Sequence, residues 1–443
     1  MNGKSKITLV ELKRTAALAL LTLEKGRGVN GTAQPSGKAG EVAGGGVTAT
    51  LVGQTVALRY NQDEYRSRLS QAKDARDYTE AIQLIEEGVQ ANLPFLTDQN
   101  TKRDIESVIR GLKESEDIES AVILANYCFR NKINYETKPN PITTRTLIVS
   151  GQKQCPFETA LLTTSALESG ITFFDKNDEK MITTTAAHTH DVGSHESNLA
   201  YGKLVLTAIK YNHLKDSQFI ETSMAILANP GKKETEIDSS QINQRAEIAY
   251  NIALEYLEKG IEIVDKTRID KTIHDLRRIP GHIPNALRLL LKALKREDLD
   301  TSSITVESTI SAVKQHIDLD KKTGETLYKV ISSALEKYER DSFNSETFDL
   351  LCQALMKEDA GKAFAIQIAI RCAEYGYILE ARTYENIYTK TAESQEVQKR
   401  GDLRTKREQL PNLITLANQV NVEEKVIPKI TKELRGGTGN KFF

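Results

Sequence analysis

Apolar side chains recur at helical spacing over most of this chain. Between about Asn61 and Asn134, Ala81, Ile82, Leu84 and Ile85 mark one such face, and Ile118, Ala121, Val122, Leu124 and Ala125 mark another. The pattern resumes over Asn243–Ile263 and continues to about Tyr388, with breaks at Pro280–Pro284 and around Asp298–Ser303. Residues three and four apart share one side of an α-helix, so a chain patterned this way must bury helix stripes against other helices. The predicted fold class is mainly α. The 443 residues suit two or three domains, and 39% hydrophobic with 27% charged residues suits soluble cores. Pro230-Gly231-Lys232-Lys233 opens a polar stretch running to Ser240, which divides the helical part into lobes at 47–230 and 231–395.

Two regions depart from this pattern. Val47–Val52 and Thr55–Tyr60 are rich in β-formers and flank Gly53-Gln54, which predicts a β-hairpin near 47–60. Residues 140–190 read as a small β-excursion, with strands at Arg145–Val149 and Ile171–Phe174 and a turn at Lys176-Asn177-Asp178 into Met181–Thr185. Repeats are faint. Asp77-Tyr78-Thr79-Glu80-Ala81 and Asp117-Ile118-Glu119-Ser120-Ala121 open similar helices 40 residues apart. Ala369–Ala381, with Cys372 and Gly376, has small residues spaced as in tetratricopeptide helix pairs, and Cys155–Ala160 is similar to the ankyrin signature without its histidine. No fixed period recurs.

The ends differ from the middle. Residues 1–25 contain a helix-like apolar segment with Leu9, Leu12, Leu18, Leu20 and Leu21, and residues 26–46 form a Gly-rich connector. A short apolar helix on a tether needs a docking site, which predicts a homo-oligomer joined through terminal arms. The first 60 residues carry a net charge of +5, residues 398–443 another +5, and the middle −11. No stretch approaches the roughly 20 apolar residues of a membrane span. The N-terminal apolar run lacks a cleavage site, and Cys128, Cys155, Cys352 and Cys372 show no paired spacing. Together these predict an intracellular, reducing, cytoplasmic location with buried thiols.

Catalytic signals are sparse, and no cofactor is predicted. His188, His190 and His195 with Asp191 form a cluster that resembles a zinc hydrolase site. The metallo-β-lactamase pattern, however, wants Asp two residues after the second His, and here Asp191 follows His190 directly. Gly26-Arg27-Gly28-Val29-Asn30-Gly31 matches a dinucleotide fingerprint but follows a helix-like segment instead of a strand. Val56-Ala57-Leu58-Arg59 has Arg where a kinase strand has Lys, and nothing places a base beside Cys155.

The strongest charge signal spans residues 271–296, net +6 inside the acidic middle. Asn285 reads as the cap of a helix with Leu287, Leu290, Leu291 and Leu294 as its buried stripe. Arg288, Lys292, Lys295 and Arg296 share another face, with Arg277 and Arg278 in the preceding loop. A row of cations at this spacing meets successive phosphates. A second basic run, Lys399, Arg400, Arg404, Lys406 and Arg407, lies in the tail at 396–443. A tethered N-terminal helix, two helical lobes, a basic element near their junction and a basic tail resemble the nucleoproteins of negative-strand RNA viruses. That resemblance implies an RNA-coating protein, virion-associated, with arms exchanged between subunits and RNA in a groove lined by Arg277–Arg296. The alternatives are a helical-repeat interaction scaffold, such as an adaptor or a bacterial effector, and a zinc-dependent hydrolase at the histidine cluster.

Overall fold

The computed structural model describes residues 48–387 except 52–53, 58–59, 138–140, 172–177, 229–237, 280, 300, 315–319, 358, 378, 381–382 and 384–385. The predicted N-terminal arm and basic tail lie outside the described residues. The fold is mainly α. Strands β1 (Thr48–Leu51) and β2 (Gln54–Ala57) pair antiparallel, with Thr48 opposite Ala57 and Leu51 opposite Gln54. Sixteen α-helices follow among the described residues. The chain divides into two compact units between Leu214 and Lys215, ahead of the Pro230 boundary read from composition. The helix at Ser217–Ala228 therefore groups with the second unit, packing on the helix that begins at Ser239.

The first unit consists of α1 (Gln62–Asp74), α2 (Tyr78–Gln90), α3 (Gln99–Glu114), α4 (Ile118–Arg130), α5 (Ile142–Gln154), α6 (Pro156–Glu168), α7 (Asp178–Asp191) and α8 (His195–Lys210). These are four helix pairs, α1–α2 through α7–α8. First helices pack in succession, α1 on α3 on α5 on α7, and second helices α4 on α6 on α8. The second unit repeats the arrangement with α9 (Ser217–Ala228), α10 (Ser239–Glu258), α11 (Lys266–Leu276), α12 (Ile283–Leu294), α13 (Ser303–Val313), α14 (Lys321–Lys337), α15 (Ser345–Leu355) and α16 (Asp359–Glu374). There α9, α11, α13 and α15 form one layer and α10, α12, α14 and α16 the other. Each unit is thus a stack of helix pairs in which neighbours bury each other's apolar stripes.

Turn chemistry sets the pairs. Within the first two, Arg76 and Glu116 take positive φ (57° and 65°), and the next residue, Asp77 or Asp117, caps the second helix by accepting from the N–H of Glu80 or Ser120. The similar openings read from the sequence are therefore the same turn twice. Between pairs, Asn92, Lys132, Gly170 and Asn212 take positive φ at intervals of 40, 38 and 42 residues. The following N–H then reaches back to the carbonyl of a small residue: Leu93 to Gly88, Ile133 to Cys128, Ile171 to Ala166, His213 to Ala208 (2.8–3.0 Å). This six-to-one closure satisfies carbonyls that a helix end would leave orphaned. Gly376 and Tyr377 close on Cys372 in the same way at the end of α16.

The β-excursion expected at 140–190 is corrected over 142–154, 156–168 and 178–191, which are helices, while 172–174 of the expected second strand and 176–177 of the turn lie outside the described residues. Threonine misleads here. The hydroxyls of Thr146, Thr163, Thr164, Thr185 and Thr189 donate to the carbonyl four residues earlier, so the polar group of a β-former is satisfied inside a helix. Leu147, Ile148, Gly151 and Gln152 then bury one face of α5. All four cysteines are buried free thiols, and burial pushes Cys128 up to about 12.

In the second unit the loop entering α11 hangs on one carboxylate. Glu221, 2% exposed on α9, accepts from Tyr256 Oη (2.7 Å), Val264 N (2.9 Å) and Asp265 N (3.0 Å). Glu221→Gln replaces one acceptor with a donor facing a backbone N–H. It is expected to lower unfolding free energy by about 2 kcal/mol, read by chemical denaturation, with little change in helix content.

Candidate functional site

Two cavities open among the first helices, one in each unit. In the first unit a cavity of about 230 Å³ lies between α3 and α5, walled by Glu106, Arg110, Lys113, Glu136, Ile142 and Thr146. In the second unit a cavity of about 560 Å³ lies among the C-terminal end of α11, α13 and the start of α15, walled by Arg277, Arg278, Ile304, Glu307, Ser308 and Ser311. The two walls share a pattern. Ile142, Thr146 and Val149 on α5, and Ile304, Ser308 and Ser311 on α13, stand at i, i+4 and i+7, so each set forms a stripe along one helix face.

Among the described residues, the large apolar side chains left exposed within helices are Ile142, Val149, Ile304 and Leu350. All four belong to first helices, α5, α13 and α15, and Ile304 is 75% exposed. A second helix buries its apolar stripe more completely; on α12 Ala286, Leu287, Leu289, Leu290, Ala293 and Leu294 are all buried. Exposed aliphatic groups beside a recess are the usual mark of a binding surface.

The small cavity is chemically set. Glu106, 7% exposed, accepts from Thr137 Oγ1 (2.7 Å), Thr143 Oγ1 (2.9 Å) and Arg110 Nη2 (2.7 Å). Burial works to raise its carboxyl, but the two hydroxyls and the guanidinium outweigh it and hold the group below the ordinary carboxylate range. Burial pushes the neighbouring Glu136 up, against hydrogen bonds from the Thr144 hydroxyl and N–H (2.6 Å each).

The predicted cations do not form one row. The cap of α12 is His282 with Pro284 in the first turn; Asn285 lies inside the helix and donates to Glu247 (2.9 Å), which corrects the expected cap. Leu287, Leu290 and Leu294 are buried as the spacing predicts, but Leu291, expected in the same stripe, is only half-buried. Lys292 is paired with Glu258 (2.7 Å). Arg296 is paired with Asp298 and reaches the carbonyls of Leu257 and Ile261. Arg288 and Lys295 are on the same helix, whereas Arg277 and Arg278 end α11 in the other layer, at the larger cavity. Burial pushes the Arg277 guanidinium down, Arg278 adds repulsion, and Asp275 opposes both. Lys399, Arg400, Arg404, Lys406 and Arg407, and Leu9, Leu12, Leu18, Leu20 and Leu21, lie outside the described residues.

His188 and His190 end α7 and His195 begins α8. His190 Nδ1 bonds Asn198 Oδ1 (2.9 Å) and its ring packs on Tyr201 at 5.2 Å. Among the described residues no group of three or more His, Cys, Asp or Glu side chains is arranged to hold a metal ion. No helix among them is long and apolar enough to cross a membrane.

No protein-family model matches the chain, and no curated protein matches it. Among solved structures, a circular tandem repeat protein with novel repeat topology and enhanced subunit contact surfaces aligns over 84% of this chain and 87% of its own. Identity is 14% and the TM-score 0.23, too low to carry an argument.

Sequence reasoning found Arg277 and Arg278 but missed Ile142, Val149, Ile304 and Leu350. Their signal was available: each is an apolar residue out of phase with its own helix's buried stripe. At Glu106 the folded carboxyl sits below its unfolded value, so the unfolded state binds more protons and the contribution to stability is present above the unfolded carboxylate pKa. The stability gap between wild type and Glu106→Gln is therefore expected to be widest near neutrality and to shrink as pH falls through the folded value, in denaturation curves across pH.

Proposed function

We propose that this protein is a helical-repeat scaffold whose first-helix layers bind polypeptide segments. The observation that supports this reading is the one-sided distribution of exposed aliphatic side chains. Ile142, Val149, Ile304 and Leu350 all lie on first helices, two of them on the walls of the cavities. A stack of helix pairs presents one continuous row of helices on such a face, and a bound segment lies across several of them. RNA coating through α12 is less well supported, because Lys292 and Arg296 already have carboxylate partners and a cation held by an internal carboxylate gives less to a phosphate.

The test pans a displayed library of random peptides against the full chain. Enriched peptides are expected to lose at least about tenfold in affinity, about 1.4 kcal/mol, to Ile304→Glu or Ile142→Glu. Val264→Glu, an exposed loop substitution, should leave binding unchanged, with circular dichroism the same for all three. Peptides indifferent to both first-helix changes would overturn the reading, as would nuclease-protected RNA that co-purifies and gives a high 260/280 nm ratio.

A further inference from the structure

We propose that the larger cavity of the second unit binds a carboxylate carried by an acidic–aliphatic segment of another protein, with Arg277 and Arg278 holding the carboxylate and Ile304 the neighbouring aliphatic side chain. The inference rests on the first-helix reading above and assigns that surface its ligand chemistry.

Two arginines and one carboxylate, Glu307, line the cavity. Among the described residues Arg277 Nη1 is buried with no hydrogen-bond acceptor, and the exposed Arg278 adjoins it at the end of α11. Two adjacent guanidiniums repel, and burial weakens Arg277 further; Asp275 compensates in part. His274 Nδ1 lies 3.2 Å from the Oδ1 of that aspartate. The cavity's own carboxylate, Glu307, accepts through Oε1 from Thr347 Oγ1 (2.7 Å) and from the N–H of Asn344 (3.2 Å), which ties α13 to the start of α15. A buried donor without an acceptor costs free energy until an acceptor arrives, and a carboxylate meets a pair of guanidiniums with charge-assisted hydrogen bonds.

The rest of the wall sets the kind of anion. Ile304, 75% exposed, opens the same face as Ser308 and Ser311, so an aliphatic group and hydroxyls lie within one ligand's reach of the arginines. The lining contains no aromatic side chain on which a base could stack, and Glu307 on the wall opposes a polyphosphate backbone. A volume of about 560 Å³ suits a short peptide stretch. The chain's own ends do not complement the site: residues 1–60 and 398–443 each carry a net charge of +5. That net charge favours an acidic segment of a separate partner as the occupant.

The experiment pans the random peptide library on the full wild-type chain and measures the enriched peptides against R277Q/R278Q. Arg277 is half-buried and Arg278 exposed, and glutamine keeps a polar side chain at both, so the melting temperature should change little. The expected result is a carboxylate beside an aliphatic residue in the enriched peptides, affinity lowered at least about tenfold by R277Q/R278Q, and weakening as salt increases. Peptides that bind, lose affinity to Ile304→Glu, carry no common acid and ignore R277Q/R278Q would overturn this inference while leaving the first-helix reading in place. A uridine homopolymer bound by wild type and lost by R277Q/R278Q, without acidic peptides, would overturn it in favour of a nucleic-acid site.

Discussion

At the end of each second helix of the first unit, the chain reverses through one residue at positive φ, and the next N–H returns to a carbonyl five residues back. That hydrogen bond recurs at Leu93, Ile133, Ile171 and His213, and the carbonyl always belongs to a small residue, Gly88, Cys128, Ala166 or Ala208. At Gly88 an added Cβ would press on Phe95 and Leu96 at 3.3 Å. Because the turn is the same each time, the next pair starts in the same orientation relative to the last, and stacking follows from local chemistry. Three non-glycine residues, Asn92, Lys132 and Asn212, adopt the left-handed conformation there, so the closure outweighs their conformational cost.

Stacking also decides which surface is left to bind. A second helix such as α12 is enclosed on its apolar side, with seven buried aliphatic side chains. First helices must bury one stripe against their neighbours and still present a face, and there the sequence leaves Ile142, Val149, Ile304 and Leu350 in solvent. The polar groups nearest them are arranged differently in the two units. Glu106 is paired with Arg110 and accepts from two threonine hydroxyls, whereas Arg277 and Arg278 stand side by side near Asp275 and Glu307. The same architecture thus offers a recess built around a hydrogen-bonded carboxylate in one unit and one with adjacent arginines in the other.

Helix content was legible from apolar spacing over most of the chain, and the paired Asp77 and Asp117 openings pointed to a repeated turn. The period itself was not legible, because intervals of 40, 38 and 42 residues blur any fixed offset while the backbone geometry stays constant. Residues 140–190 misled because β-branched threonines normally favour strands, and their hydroxyl bonds to the preceding turn show only in three dimensions. The basic helix was located correctly, with its leucine stripe inward. Its ion pairs with Glu258 and Asp298 join residues 34 and 2 positions away, and the first of these is a tertiary contact that composition cannot reveal. Arg277 and Arg278 were found by charge, but the layer they occupy depends on helix pairing.

Hydrogen–deuterium exchange on the full chain, with and without a peptide selected from the random library, tests the scaffold account most directly. The account predicts slowed exchange concentrated in first helices, at 142–149 or 303–312, with the second helices α4, α6 and α12 unchanged. Protection confined to second helices, or spread evenly over both layers, would contradict it.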